Sequence, residues 1–312
     1  MKKIKIKLLS VLVFLGLVMH TNLAFANSDL ERCRIVFSQQ SFDAAYEVCK
    51  TEAEQGLADA QFFLGFMYSN GYGVNRDYSI AARWYRAAAE QGYVDAQNNL
   101  AWIYSNGDGV MQDYAEAARW YRAAAEQGDA EAQYNLGFMY SNGYGVIRDY
   151  SMAARWYRAA AEQGDAEAQY NLGVMYSNGL GVQKDFTEAL VWYKAAAEQG
   201  FLDAQYNLGL KYANGDGVIQ DYTEAVRWFR AAAEQGHADA QYNFGVMYYR
   251  ANGVIQDYLL AHMWFNISAA NGYVTASEAR NSVSQLMSNE QIAEAQALAR
   301  QCLNSNYTDC AY

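Results

Sequence analysis

The sequence predicts an all-α protein: an α/α solenoid of six 36-residue helix-turn-helix units, closed at both ends by degenerate helical caps. Two observations carry that prediction. Gly56, Gly92, Gly128, Gly164, Gly200, Gly236 and Gly272 follow one another at a constant interval of 36 residues, and the first six each close a tetrapeptide first written as Ala53-Glu54-Gln55-Gly56. Between these glycines apolar residues fall at helical spacing, and the chain contains no proline to interrupt them. A period of about 20 to 50 residues marks stacked units that each touch only their neighbours. Such a fold offers an extended surface rather than one enclosed pocket, which favours binding over catalysis.

One unit, Leu57 to Gly92, shows how the hairpin is written. Ala60, Leu64 and Tyr68 lie at i, i+4 and i+8 and mark one stripe of a first helix. Gly71-Tyr72-Gly73 ends it, because paired glycines favour a turn. Asp77 is then placed to cap a second helix by accepting from its free first-turn amides, with counterparts at Asp113, Asp149, Asp185, Asp221 and Asp257. A glutamate follows three residues later at Glu116, Glu188 and Glu224, the spacing of a reciprocal capping box. The second helix runs through Ala81, Trp84, Tyr85 and Ala88 and stops at Gly92, which suits a left-handed C-terminal cap.

A glycine inside a helix costs about 1 kcal/mol relative to alanine. Gly65, Gly137, Gly173, Gly209 and Gly245 nevertheless hold the same mid-helix place, with Ala101 in the remaining unit. A close crossing with the second helix is the expected reason, and the periodic Trp84, Trp120, Trp156, Trp192, Trp228 and Trp264 are the expected partners. On their size these tryptophans read as core rather than as a stacking platform for bases or sugars.

The run Ala-Gln-Tyr-Asn-Leu-Gly-x-Met-Tyr-Ser-Asn-Gly-x-Gly-Val at Ala132 to Val146 is followed by Asp149-Tyr150 and then by Ala159 to Gly164. This pattern resembles the Sel-one-like repeat, a variant of the tetratricopeptide repeat with a longer loop inside the hairpin. The resemblance spans Leu57 to Gly272, or 216 of 312 residues. The sixth unit departs from it, with Tyr249-Arg250 in place of Ser-Asn and Ala251 in place of the first loop glycine.

The resemblance implies a right-handed superhelix whose first helices line a concave face. On that face it places Asn99, Asn135, Asn171, Asn207 and Asn243, beside Tyr134, Tyr170, Tyr206 and Tyr242 and with Trp102 and Phe138. Such a ladder is similar to those by which family superhelices hold extended peptides, since an amide donates and accepts together. The same asparagines could instead bond between repeats, and their period does not separate the two uses. Phe63 stands where the ladder would begin, so the groove is expected to end or turn apolar there.

The ends are written differently. Residues 1–26 have the form of a bacterial export signal, with Lys2, Lys3, Lys5 and Lys7, an apolar core from Leu8 to Met19 and Ala24-Phe25-Ala26 as the cleavage site. The chain is then expected to divide into a capping hairpin at 27–56, six repeats at 57–272 and capping helices at 273–312. Without the leader, 19 basic residues face 34 acidic ones, a net charge of −15 that repels nucleic acid and anionic lipid. No later apolar run is long enough to span a membrane.

The four cysteines sit only at the ends. Phe42 to Tyr46 resembles the start of a second helix, with Cys49 in the place of Tyr85, so an antiparallel half-unit would bring Cys33 beside Cys49. Cys302 and Cys310 form the second expected local bridge, since a six-unit solenoid keeps its termini far apart. Disulfides persist in oxidising compartments, and the protein is expected to be periplasmic or secreted.

No catalytic constellation emerges. After the leader only His237 and His262 remain, without metal-ligand spacing, and they read as incidental surface or interface residues. The carboxylates recur by repeat position as caps or helix-end charges, and no cofactor is expected. The sequence thus points to a non-enzymatic scaffold for an envelope or host protein or peptide. The alternative, a weak β-lactam-binding or hydrolysing or cell-wall-acting enzyme, comes only from the resemblance. Family members of that branch carry a cysteine pair in nearly every repeat, and this chain has none between Cys49 and Cys302.

Overall fold

A computed structural model describes residues 32–310. The expected export signal at residues 1–26 lies outside them. The described residues form sixteen helices and no strand, in two compact units that meet in sequence at Ala96 and Gln97. Consecutive helices pack in pairs, and the protein is a helical solenoid.

The first unit holds α1 (Arg32–Ser38), α2 (Phe42–Glu54), α3 (Ala58–Asn70) and α4 (Tyr78–Glu90). Cys33 and Cys49 are bonded, with Cα atoms 4.6 Å apart, and tie α1 to α2 as the half-unit reading expects. The buried Glu52 carboxylate accepts from the Cys33 amide at 3.1 Å and fixes the start of α1. Phe63 is buried because α1 covers it: its ring centroid lies 5.0 Å from that of Phe37. An asparagine there would lose its water to this aromatic cap.

The second unit takes in α5 (Val94–Asn106) from Gln97 on, then α6 (Tyr114–Glu126), α7 (Ala130–Asn142), α8 (Tyr150–Glu162), α9 (Ala166–Asn178) and α10 (Phe186–Glu198). It continues with α11 (Leu202–Asn214), α12 (Tyr222–Ala233), α13 (Ala238–Arg250), α14 (Tyr258–Ala270), α15 (Ala276–Ser284) and α16 (Asn289–Asn304). Helix α14 contains no charged residue and buries His262, Met263, Trp264, Phe265 and Ile267. Its counterpart α8 keeps Arg155 and Arg158 exposed. The difference follows from the packing of α15 and α16 against α14, which closes the array. Cys302 and Cys310 are bonded with Cα atoms 4.4 Å apart, as expected.

Every expected aspartate caps its helix. Asp149, for example, accepts from the Ser151 and Met152 amides at 2.8 and 3.1 Å. The expected capping boxes do not form at Glu116 and Glu224, which turn instead to Arg119 and Arg227 one turn on, at 3.4 and 3.3 Å. A reciprocal box is present at the start of α16, between Ser288 and Gln291. The close helix crossing is real, but its partner is the residue after the tryptophan. A Cβ on Gly137 would stand 2.8 Å from Tyr157 Cδ1, and one on Gly209 would stand 2.7 Å from Phe229 Cδ1. The tryptophans are core at positions 120, 156, 228 and 264 and half-buried at 84 and 192.

Candidate binding face

Helical spacing places three kinds of side chain on one stripe of each first helix. In α7 the stripe is Glu131, Asn135 and Phe138, at i, i+4 and i+7. In α9 it becomes Glu167, Asn171 and Val174, in α11 Asp203, Asn207 and Leu210, and in α13 Asp239, Asn243 and Val246. All eleven sequence-predicted ladder residues fall in the second unit. The structure does not give them one environment.

Asn135 is buried, with 3% of its surface exposed, and its Nδ2 has no hydrogen-bond partner. Phe138, one turn further, is 40% exposed. The orphan amide therefore sits on a stripe that opens to solvent. Asn171 donates to its own helix at the Glu167 carbonyl, 2.8 Å away. Asn207 donates to the Tyr170 hydroxyl of the preceding repeat at 3.5 Å. Asn99 and Trp102 are half-buried.

The tyrosines form the seam between repeats. Tyr170 packs on Phe201 with centroids 5.1 Å apart, Tyr206 stacks on His237 at 4.5 Å, and Tyr242 packs on Tyr273 at 4.8 Å. Burial raises the pKa of Tyr134, Tyr170 and Tyr206, and the carboxylates of Glu167, Asp203 and Asp239 raise them further. Each first-helix carboxylate from α9 onward thus faces the phenol of the repeat before it.

Both histidines correct the sequence expectation. His237 replaces the aspartate that caps α7 and α9, and its Nδ1 accepts from the Ala240 amide at 3.2 Å. His262 is 1% exposed, so it belongs to the core of α14 rather than to a surface. Burial first, and then the Arg280 guanidinium, hold its pKa below the ordinary 6.5. Among the described residues no group of three His, Cys, Asp or Glu side chains could hold a metal ion.

The device that sets the stacking is a glutamine pair not singled out from the sequence. Gln133, buried in α7, donates to the Ala125 carbonyl of the preceding hairpin at 3.1 Å. Its Oε1 accepts from Gln163 Nε2 at 2.8 Å, and Gln163 also donates to the Gly128 carbonyl at 3.0 Å. The same set recurs at Gln169 with Gln199 and at Gln205 with Gln235. The signal was in view, as the glutamine of every Ala-Glu-Gln-Gly and the Ala-Gln that opens each first helix.

A row of helical hairpins joined by repeated side-chain amides, with its cysteines reserved for the ends, defines a helical-repeat scaffold. A model of the Sel1 repeat matches six times, at 58–93, 94–129, 130–165, 166–201, 202–237 and 238–273, and the chain belongs to the Sel1 repeat family. Among solved structures, a Sel1 repeat protein from Oxalobacter formigenes is similar at 32% identity and TM-score 0.66, over 77% of this chain and 96% of that one. A protective antigen with an SLR fold from uropathogenic Escherichia coli is 27% identical at TM-score 0.43, over 89% of this chain and 92% of that one. An immunity protein from Pseudomonas aeruginosa is 22% identical at TM-score 0.38, over 69% of this chain and 81% of that one. Comparison with curated proteins gives no match. Among the described residues no helix is long and apolar enough to cross a membrane.

Proposed function

We propose that this protein is an extracytoplasmic interaction scaffold that binds a protein or peptide along the first-helix stripes of its second unit. The observation that carries the reading is the buried Asn135 amide without a partner on a stripe that ends in an exposed phenylalanine. A buried donor left unmade costs about 1–3 kcal/mol, and a peptide carbonyl would satisfy it. The two terminal disulfides support an oxidising compartment.

Crosslinking in the native periplasm followed by mass spectrometry supplies the partner for the test. Changing Asn135, Asn171 and Asn207 together to alanine removes one bond local to its own helix, one long bond and one orphan donor. The melting temperature should stay near that of wild type. Capture of the partner should fall at least tenfold, since each bond lost to a ligand contributes about 1 kcal/mol. A marked fall in melting temperature, with the remaining folded protein still binding, would overturn the groove.

A further inference from the structure

We infer that the segment taken by this face is extended and cationic, a stretch of polypeptide rich in lysine and arginine. The inference rests on the protein-binding reading above and adds the chemistry of the occupant. Its ground is the separation of charge between the two helices of each repeat.

Each first helix from α7 to α13 carries its carboxylate at the same place, one turn before the ladder asparagine. His237 Nε2 lies 3.7 Å from Asp203, but the lysines and arginines are elsewhere. Helices α7 and α9 contain no lysine or arginine at all. In α11 the one cation, Lys211, is mostly buried and held 3.5 Å from Asp216. In α13 the one cation, Arg250, lies in the last turn. The second helices hold the exposed arginines, such as Arg119, Arg155 and Arg227, each set over its neighbouring tryptophan ring. Among the described residues no lysine or arginine pairs with Glu167 or Asp239.

A row of acids alone would mark only a solvated surface. Here the row is accompanied by the buried, unpartnered Asn135 amide one turn beyond Glu131. That amide asks for an acceptor of the kind a peptide backbone supplies, while the carboxylates ask for positive side chains. One negative charge per repeat, spread over four repeats, suits a linear polycation rather than a compact ion. The half-buried tyrosines between the carboxylates add ring faces that attract cations. A neutral or acidic segment would meet the same amides with no electrostatic attraction or with repulsion.

The test uses a fluorescent 16-residue peptide of alternating Lys-Gly-Arg-Ser, and a Gln-Gly-Ser peptide of equal length, read by fluorescence anisotropy. Two variants of the full mature chain are compared. One carries E131Q, E167Q, D203N and D239N; the other carries E126Q, E162Q, E188Q and E198Q, which removes equal charge from exposed positions on second helices. Melting curves show that both fold. The wild-type protein should bind the basic peptide at least tenfold more tightly than the neutral one. The first variant should lose at least tenfold and the second less than threefold, with a steep weakening between about 50 and 200 mM salt. Equal loss in the two variants would show attraction to net charge alone and would overturn the inference. Equal binding of the two peptides by wild type would overturn it while leaving the groove standing. Failure of the basic peptide to bind would also overturn it, and partner capture by the triple-asparagine variant then judges the groove on its own.

Discussion

Replacing Gln133 by alanine is the most direct trial of how the repeats are held together. The change removes the bond to the Ala125 carbonyl and the bond received from Gln163, at 3.1 and 2.8 Å. Each contributes about 1 kcal/mol net, and the Ala125 carbonyl keeps the Gly128 amide as a donor at 3.0 Å. The expected loss is therefore about 2 kcal/mol. Gln163→Ala is the natural comparison, because Gln163 is exposed and water can replace its bonds to Gly128 and Ala159. It should cost about 1 kcal/mol, and the double variant should show a coupling of about the same size. Urea unfolding followed by circular dichroism gives these values from the shift in midpoint. The slope is checked in each variant, since a weakened interface in a repeat array can uncouple its two sides. A loss below about 0.5 kcal/mol for Gln133→Ala, or a larger loss for Gln163→Ala, would refute the stacking role.

Gly137→Ala should destabilise by up to about 2 kcal/mol in urea: overpacking against Tyr157 costs about 1–3 kcal/mol and improved helix propensity returns about 1. Ala101 holds the same place in the second repeat, so an alanine is accommodated there and the figure stays below the top of that range. Ala251→Gly should raise the melting temperature, because Ala251 closes α13 with φ +59°, a left-handed conformation that costs a side-chain residue about 1–2 kcal/mol. Reducing Cys33–Cys49, or changing both to serine, should cost about 3 kcal/mol and make α1 the first site of proteolytic nicking. His262 stays neutral in the folded chain, whereas the unfolded chain takes up a proton near pH 6.5. Its contribution is therefore complete above that pH and is lost as pH falls toward its depressed folded value. His262→Phe should flatten this acid limb in a series of melts from pH 7 to pH 5.

The repeat period, the aspartate caps and the bridges were legible in the sequence because each depends on backbone conformation or chain distance. Asp149 must cap where it does, since the glycine loop before it has ended the previous helix. The partner of Gly137 was not legible. Trp156 and Tyr157 are adjacent and both periodic, and only the rotation of α8 about its axis decides which ring meets the glycine. Gln133 is buried on α7 and Gln163 is exposed at the C-terminal cap of α8, two residues the sequence presents as equals. His262 was misread because its helix is covered by α15 and α16, which pack on α14 and share no period with the repeats. On the candidate face the sequence placed the ladder residues on one stripe of each first helix. It could not show that Asn207 already has a tyrosine partner while Asn135 has none.

The glutamine seam makes the number of repeats a free variable. Gln205 meets the Ala197 carbonyl, and Ala161 occupies the same place in the hairpin before. If residues 166–201 were excised, Gln205 would find Ala161 and the flanking seams would close with no orphaned amide. A duplication of the same 36 residues would close equally well. Recombination between such similar stretches of coding sequence can therefore shorten or lengthen the array in whole steps while both sealed ends stay as they are. The reach of the molecule can change by inheritance without any new joint having to be invented.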